Sequence, residues 1–132
     1  MKIDIEKILL AHKLIIEADG GLDGIKDYGA IESVVENVYN TFEGIEIYPT
    51  KEDKASYLVV GLIKAHGFND GNKRTGINTL LSFLNINGVK INVTEKELEI
   101  LGKEIASSDL SQQQSFDAEK QRVKDWIISH KI

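Results

Sequence analysis

Within the eleven residues HGFNDGNKRTG, positions 66–76, stand a histidine, a carboxylate, two cations, two amides and three glycines. Imidazole is the side chain suited to taking a proton from a hydroxyl near neutral pH, which makes His66 a candidate general base. If a helix starts at Asn72 or Lys73, its first-turn N–H groups and positive dipole end form an anion site. Gly71 then lets backbone approach that anion, while Asn72, Lys73 and Arg74 add donors and charge, a set that suits phosphate. Asp70 would be repelled by phosphate unless a divalent cation bridged the two, so the acid implies Mg²⁺. Phe68 is the apolar anchor of the loop. The assembled chemistry is phosphoryl or nucleotidyl transfer. Each residue alone has an ordinary structural use, in a helix end, a turn or a solvated charge pair. Their coincidence carries the reading. A P-loop is excluded, because Gly71 and Gly76 are followed by Ile77 and Asn78 instead of lysine and a hydroxyl residue.

The stretch must be held by helices. With one proline in 132 residues, the chain reads as all-α, a single domain over residues 1–132. The first helix covers 4–18, with His12 on its core side as packing, and Gly20-Gly21 ends it. The polar loop GLDGIKDYG leads to a second helix from about Ala30, with Ile31, Val34, Val35 and Val38 on one face. Ile45, Ile47 and Pro49 indicate an extended or hairpin segment. Thr50 and Asp53 cap a third helix whose stripe of Ala55, Leu58, Val59, Leu62 and Ile63 faces the core and delivers His66 to the corner. A fourth helix buries Ile77, Leu80, Leu81 and Leu84 and stops at Asn87-Gly88. Thr94 and Glu97 form a capping box for a fifth helix ending near Ala106. DLSQQQ is a loop, and a last helix spans about Phe116 to Ser129, with Trp126 in the core and His130 in a fraying terminus.

Hydrophobic residues make up 42% and charged residues 28%, the composition of a chain that folds. The absence of cysteine rules out disulfides and thiolate metal sites and permits a reducing compartment, so the cytoplasm is expected. No apolar run is long enough to span a membrane, and a net charge of −5 argues against direct DNA binding.

The nine residues HGFNDGNKR resemble the Fic/Doc signature: histidine, phenylalanine, an acid, a small residue, asparagine, lysine or glycine, arginine. DGGLDGIKDYGAIESVV, YPTKEDKA and FLNINGVKI also resemble the Doc (death-on-curing) branch, so the likeness covers nearly the whole chain. The resemblance implies a Fic fold of about six helices with a short flap hairpin, Mg-ATP as donor, and modification of a hydroxyl on a target protein. It implies that His66 is the base, that Asp70 holds Mg²⁺, and that Gly71, Asn72, Lys73 and Arg74 bind the nucleotide phosphates. Phe68 would anchor the loop, and Ile45, Glu46, Ile47 and Tyr48 would form the flap that aligns a target.

Adenylylating members generally carry glycine where this chain has Lys73 and a second arginine where it has Ile77. Both departures favour the Doc branch, whose outcome is transfer of the γ-phosphate and whose target class is elongation factor Tu. Lys73 gives a physical reason, since a long cation crowds the place where the glycine version seats the α-phosphate. The family's internal inhibitory motif finds its nearest match in Ser115 with Glu119, followed by Lys120. That incomplete match implies a separate antitoxin, of the prevents-host-death type. The expected function is therefore a toxin kinase. A protein adenylyltransferase is the alternative, and a non-catalytic nucleotide or phosphate-binding module, which would not need His66, is the second.

Overall fold

A computed structural model describes the backbone of all 132 residues and every side chain except that of Gln113. Six helices run in the order α1 (Ile5–Asp19), α2 (Tyr28–Asn37), α3 (Lys51–Ala65), α4 (Asn72–Ile86), α5 (Glu95–Ser107) and α6 (Gln113–His130). Between α2 and α3, β1 (Thr41–Phe42) and β2 (Ile45–Glu46) pair antiparallel in a small hairpin. The architecture is all-α and agrees with a Fic fold.

Polar side chains set where the helices start. Asp4 and Asp27 accept from the N–H groups of Glu6 and Ala30, and Thr50/Asp53 and Thr94/Glu97 form reciprocal capping boxes. The Asp27 cap explains why α2 begins at Tyr28, ahead of its first buried residue, Ile31. Likewise α6 starts at Gln113, inside the stretch read as a loop, because glutamine is a good helix former even without an apolar pattern.

Helix α3 is the core of the molecule. Residues 53–63 are all buried, since α2, α4, α5 and α6 pack around it. Leu58, Val59 and Val60 are fully enclosed, each contributing roughly 1.5–3 kcal/mol by burial. Its closest neighbour is α4, and Gly76 permits the approach: a Cβ there would come 2.7 Å from Ile63 Cγ1. The α4 core face is accordingly Thr75, Gly76, Thr79, Leu80, Phe83 and Leu84. Ile77 and Leu81, expected in that core, are only partly buried and line a groove beside α5. Small residues on the true contact face are what the apolar pattern could not reveal. Trp126 is also only partly buried, packed over the core and against His130.

Helix α6 is fastened to α3 by charge. Asp53 Oδ1 accepts from Lys120 at 2.8 Å and lies 3.0 Å from Lys124, while Oδ2 accepts from Thr50. The C-terminal end is not frayed: His130 Nε2 lies 2.8 Å from Glu97 Oε2, and Ile91 and Lys131 form an antiparallel bridge. Among the described residues no helix is long and apolar enough to cross a membrane.

Candidate active site

The loop between α3 and α4 folds through two left-handed residues. His66 ends α3 at φ 48°, ψ 43°, a position that glycine commonly takes, and its side chain is exposed. Gly71 opens α4 at φ 79°, ψ 17°, and no side chain caps that helix, so its first N–H groups face outward uncapped. Asn72 closes the turn between them: its Oδ1 accepts from Phe68 N at 3.1 Å and its Nδ2 donates to Phe68 O at 3.0 Å. The Asn72 amide thus braces the loop, and what it offers an anion is its backbone N–H.

The α1–α2 segment forms the opposite side of this loop. Lys26 and Asp27 donate to Gly67 O at 2.8 and 2.9 Å, Asn69 donates to Gly24 O at 3.1 Å, and Ile25 and Phe68 form an antiparallel bridge. Phe68 is buried and stacks on the His12 ring, with centroids 3.8 Å apart and planes 9° from parallel. Asp70 is exposed, yet its carboxylate is held: Gly71 N donates to Oδ1 at 2.8 Å and Leu22 N to Oδ2 at 3.3 Å. Those two N–H groups, the Gly71 bond above all, hold its carboxyl below the usual carboxylate range, with Arg74 adding to the effect.

One cleft of about 420 Å³ gathers His66, Asp70, Gly71, Asn72, Lys73 and Arg74, with Ile63, Asn69 and Ala106 completing its wall. Lys64 brings Ala106 there by donating to the carbonyls of Ala106 and Ser108 at the end of α5. Arg74 reaches Asp19 at 3.5 Å, which leans it toward the end of α1. The hairpin residues Ile45, Glu46, Ile47 and Tyr48 are not brought to this cleft. They sit at the start of α3, a helix about 22 Å long whose other end carries His66. There Lys54 ties Glu46 and the Tyr48 carbonyl, and Tyr48 packs on Tyr57. The segment that edges the motif loop is instead Gly24–Asp27. Its signal in the sequence is the spacing of Gly20, Gly21 and Gly24, all at positive φ here.

The model of the Fic/DOC family matches residues 2–84. "Toxin Doc" of Mycolicibacterium smegmatis is 35% identical over 109 residues, covering 81% of this chain and 82% of the relative. "Protein kinase doc" of Escherichia phage P1 is 38% identical over 86 residues, covering 65% and 68%.

The chain belongs to the Fic/DOC family.

Within that family's frame, Ile77 becomes interpretable. It does not line the cleft but an adjoining groove of about 370 Å³ with Ile15, Leu81 and Leu98, so where a second cation could have followed Arg74 the surface is apolar. The donor set also fits a cation that a Fic/DOC transferase would use. Among the described residues no three His, Asp or Glu side chains converge on a metal position. Asp70 offers one ionised carboxylate whose two oxygens each take a single N–H bond and keep lone pairs free. One carboxylate completed by phosphate oxygens and water is the ligand set of Mg²⁺, not of a cation held wholly by protein.

Proposed function

We propose that this Fic/DOC chain is a toxin that acts as a protein kinase, moving the γ-phosphate of Mg-ATP to a serine or threonine hydroxyl of a target protein. The observation that carries the reading is the shared cleft, which is lined by an exposed His66, the oriented Asp70 and an uncapped helix end with Lys73. The relatives' names, a toxin and a protein kinase, support the same conclusion.

The target hydroxyl gives its proton to His66 as its oxygen bonds to the γ-phosphorus. The bond from phosphorus to the β,γ-bridging oxygen breaks, and ADP leaves. Backbone N–H groups of α4, with Lys73 and Arg74, hold the phosphates. Mg²⁺, carried by Asp70, would neutralise charge that builds on the phosphate oxygens. Lys73, exposed at the edge shared by the cleft and the adjoining groove, would crowd the seat of an α-phosphate, and apolar Ile77 offers that phosphate no second cation. The expected target class is elongation factor Tu, the expected setting the cytoplasm, and the expected regulator a separate antitoxin. Glu119 supports an external regulator: it is buried and held by Arg122 at 2.7 and 2.9 Å, so it is engaged within its own helix.

ATP labelled on either the γ- or the α-phosphate, incubated with the protein and a bacterial lysate, tests the reading. We expect γ-label on protein, lost in His66→Ala. Protein-bound α-label dependent on His66 would replace the kinase with an adenylyltransferase, and nucleotide binding with no transfer would leave a binding module.

A further inference from the structure

His12 was expected to be packing, and it is buried at 2% exposure, but its surroundings are specific. One face of its ring lies flat on Phe68, and its Nε2 is 2.8 Å from the carbonyl oxygen of Asp70, 58 residues away in sequence. A carbonyl can only accept, so Nε2 carries the proton and donates it. The acceptor belongs to the peptide unit that joins Asp70 to Gly71. That unit is trans and planar, so its C=O and its N–H point in opposite directions. The N–H is the one that grips Asp70 Oδ1 at 2.8 Å. Holding the carbonyl toward α1 therefore holds the N–H toward the carboxylate.

We propose that His12 is a positioning residue of the candidate site: by fixing the Asp70–Gly71 peptide it fixes the direction in which the Asp70 carboxylate meets a cation. Gly71, lacking a side chain and lying at positive φ, puts little resistance in the way of a flip of that peptide. After a flip, a carbonyl oxygen would face the carboxylate and push it from its place. His12 opposes the flip with one hydrogen bond, and Phe68 holds the ring in the plane that makes the bond. An imidazole is suited because it combines a flat stacking face with an N–H at its edge. Phenylalanine keeps the first and loses the second, and glutamine keeps a donor without the ring.

The orientation of the peptide is independent of the proposed reaction, whereas the consequence for the cation rests on it, so the test has two readouts. The first is amide hydrogen exchange, by NMR, at Gly71 and Leu22, the two donors to the carboxylate. In His12→Phe we expect both to exchange faster by on the order of tenfold, with α3 amides unchanged, and in His12→Gln we expect partial restoration. The second is the Mg²⁺ concentration for half-maximal transfer, which should rise in His12→Phe and recover in His12→Gln, with KM for the protein target unaltered. Unchanged exchange at Gly71 and Leu22 in His12→Phe overturns the proposal. So does faster exchange spread evenly over the helices, which would mean loss of packing alone. If wild type transfers no phosphate, the proposed function fails while the exchange result still decides the role of His12.

Discussion

His66 holds a backbone conformation that a glycine would hold more easily, and among the described non-glycine residues only Glu43 shares its positive φ. A side chain kept there against local preference points to use of the imidazole. We expect His66→Gly to reduce transfer by about 10²–10⁴-fold while changing stability by no more than about 1 kcal/mol, because relief of the left-handed strain offsets the added freedom of the unfolded chain. Parallel transfer assays and urea titrations check this, and an active His66→Gly protein would remove the base from the mechanism. Asp70→Asn should raise the Mg²⁺ requirement by about tenfold or more, since even indirect partners of a metal act on that scale. Overlapping Mg²⁺ titrations for the two proteins would return Asp70 to a turn role. At this scale the candidate site was legible because its residues are contiguous and chemically improbable together. His12 was not, because a histidine on an apolar helical face reads as packing and its partner lies far along the chain.

At the scale of elements, charge pins the helices that apolar burial assembles. Burial alone would raise the Asp53 carboxyl, but hydrogen bonds from Lys120, Thr50 and Lys124 outweigh it and hold it well below the usual range. A depressed carboxyl contributes its full stabilisation above the unfolded value near 3.8 and loses it progressively as pH falls from there through the much lower folded value. Asp53→Asn should therefore cost about 3 kcal/mol near neutral pH, by leaving Lys120 without its buried partner, and the gap to wild type should begin to narrow as pH falls below 3.8. Thermal melting from neutral pH to about pH 3 measures it. The His130–Glu97 contact has the opposite sign: the bond to the Trp126 carbonyl and then Glu97 raise the His130 imidazole. Its contribution is complete below the ordinary 6.5 and disappears as pH climbs through the raised folded value. His130→Gln should thus melt below wild type at about pH 6 and match it at about pH 9. Helix count, capping boxes and hairpin were readable from local patterns. The place of the hairpin relative to the cleft was not, since which end of α3 a segment occupies depends on tertiary packing.

For the whole molecule, four helices, α2, α4, α5 and α6, enclose α3, and the cleft uses only its C-terminal end. Regulation from within would require a residue of another element to enter that cleft, and Glu119 is committed to Arg122. We expect Glu119→Gly to change transfer by less than about twofold and to lower stability instead, because Arg122 loses its partner. A large gain in activity would reveal an internal brake. The all-α architecture was legible from composition and periodicity. The depth of α3 was underestimated, because a helix buried on nearly every side has no polar face from which its neighbours can be counted.

The enclosure of α3 has a consequence for the timing of synthesis. The residues that build the cleft leave the ribosome before α6, the helix that covers one side of α3 and neutralises Asp53 through Lys120 and Lys124. Translation at about 5–20 residues per second separates the motif loop from those lysines by several seconds, during which α3 has apolar surface and a carboxylate without its partners. A chain stopped before α6 should be digested rapidly by protease and should not transfer phosphate. Competence for any transfer at the cleft would then have to wait until α6 had been made and docked.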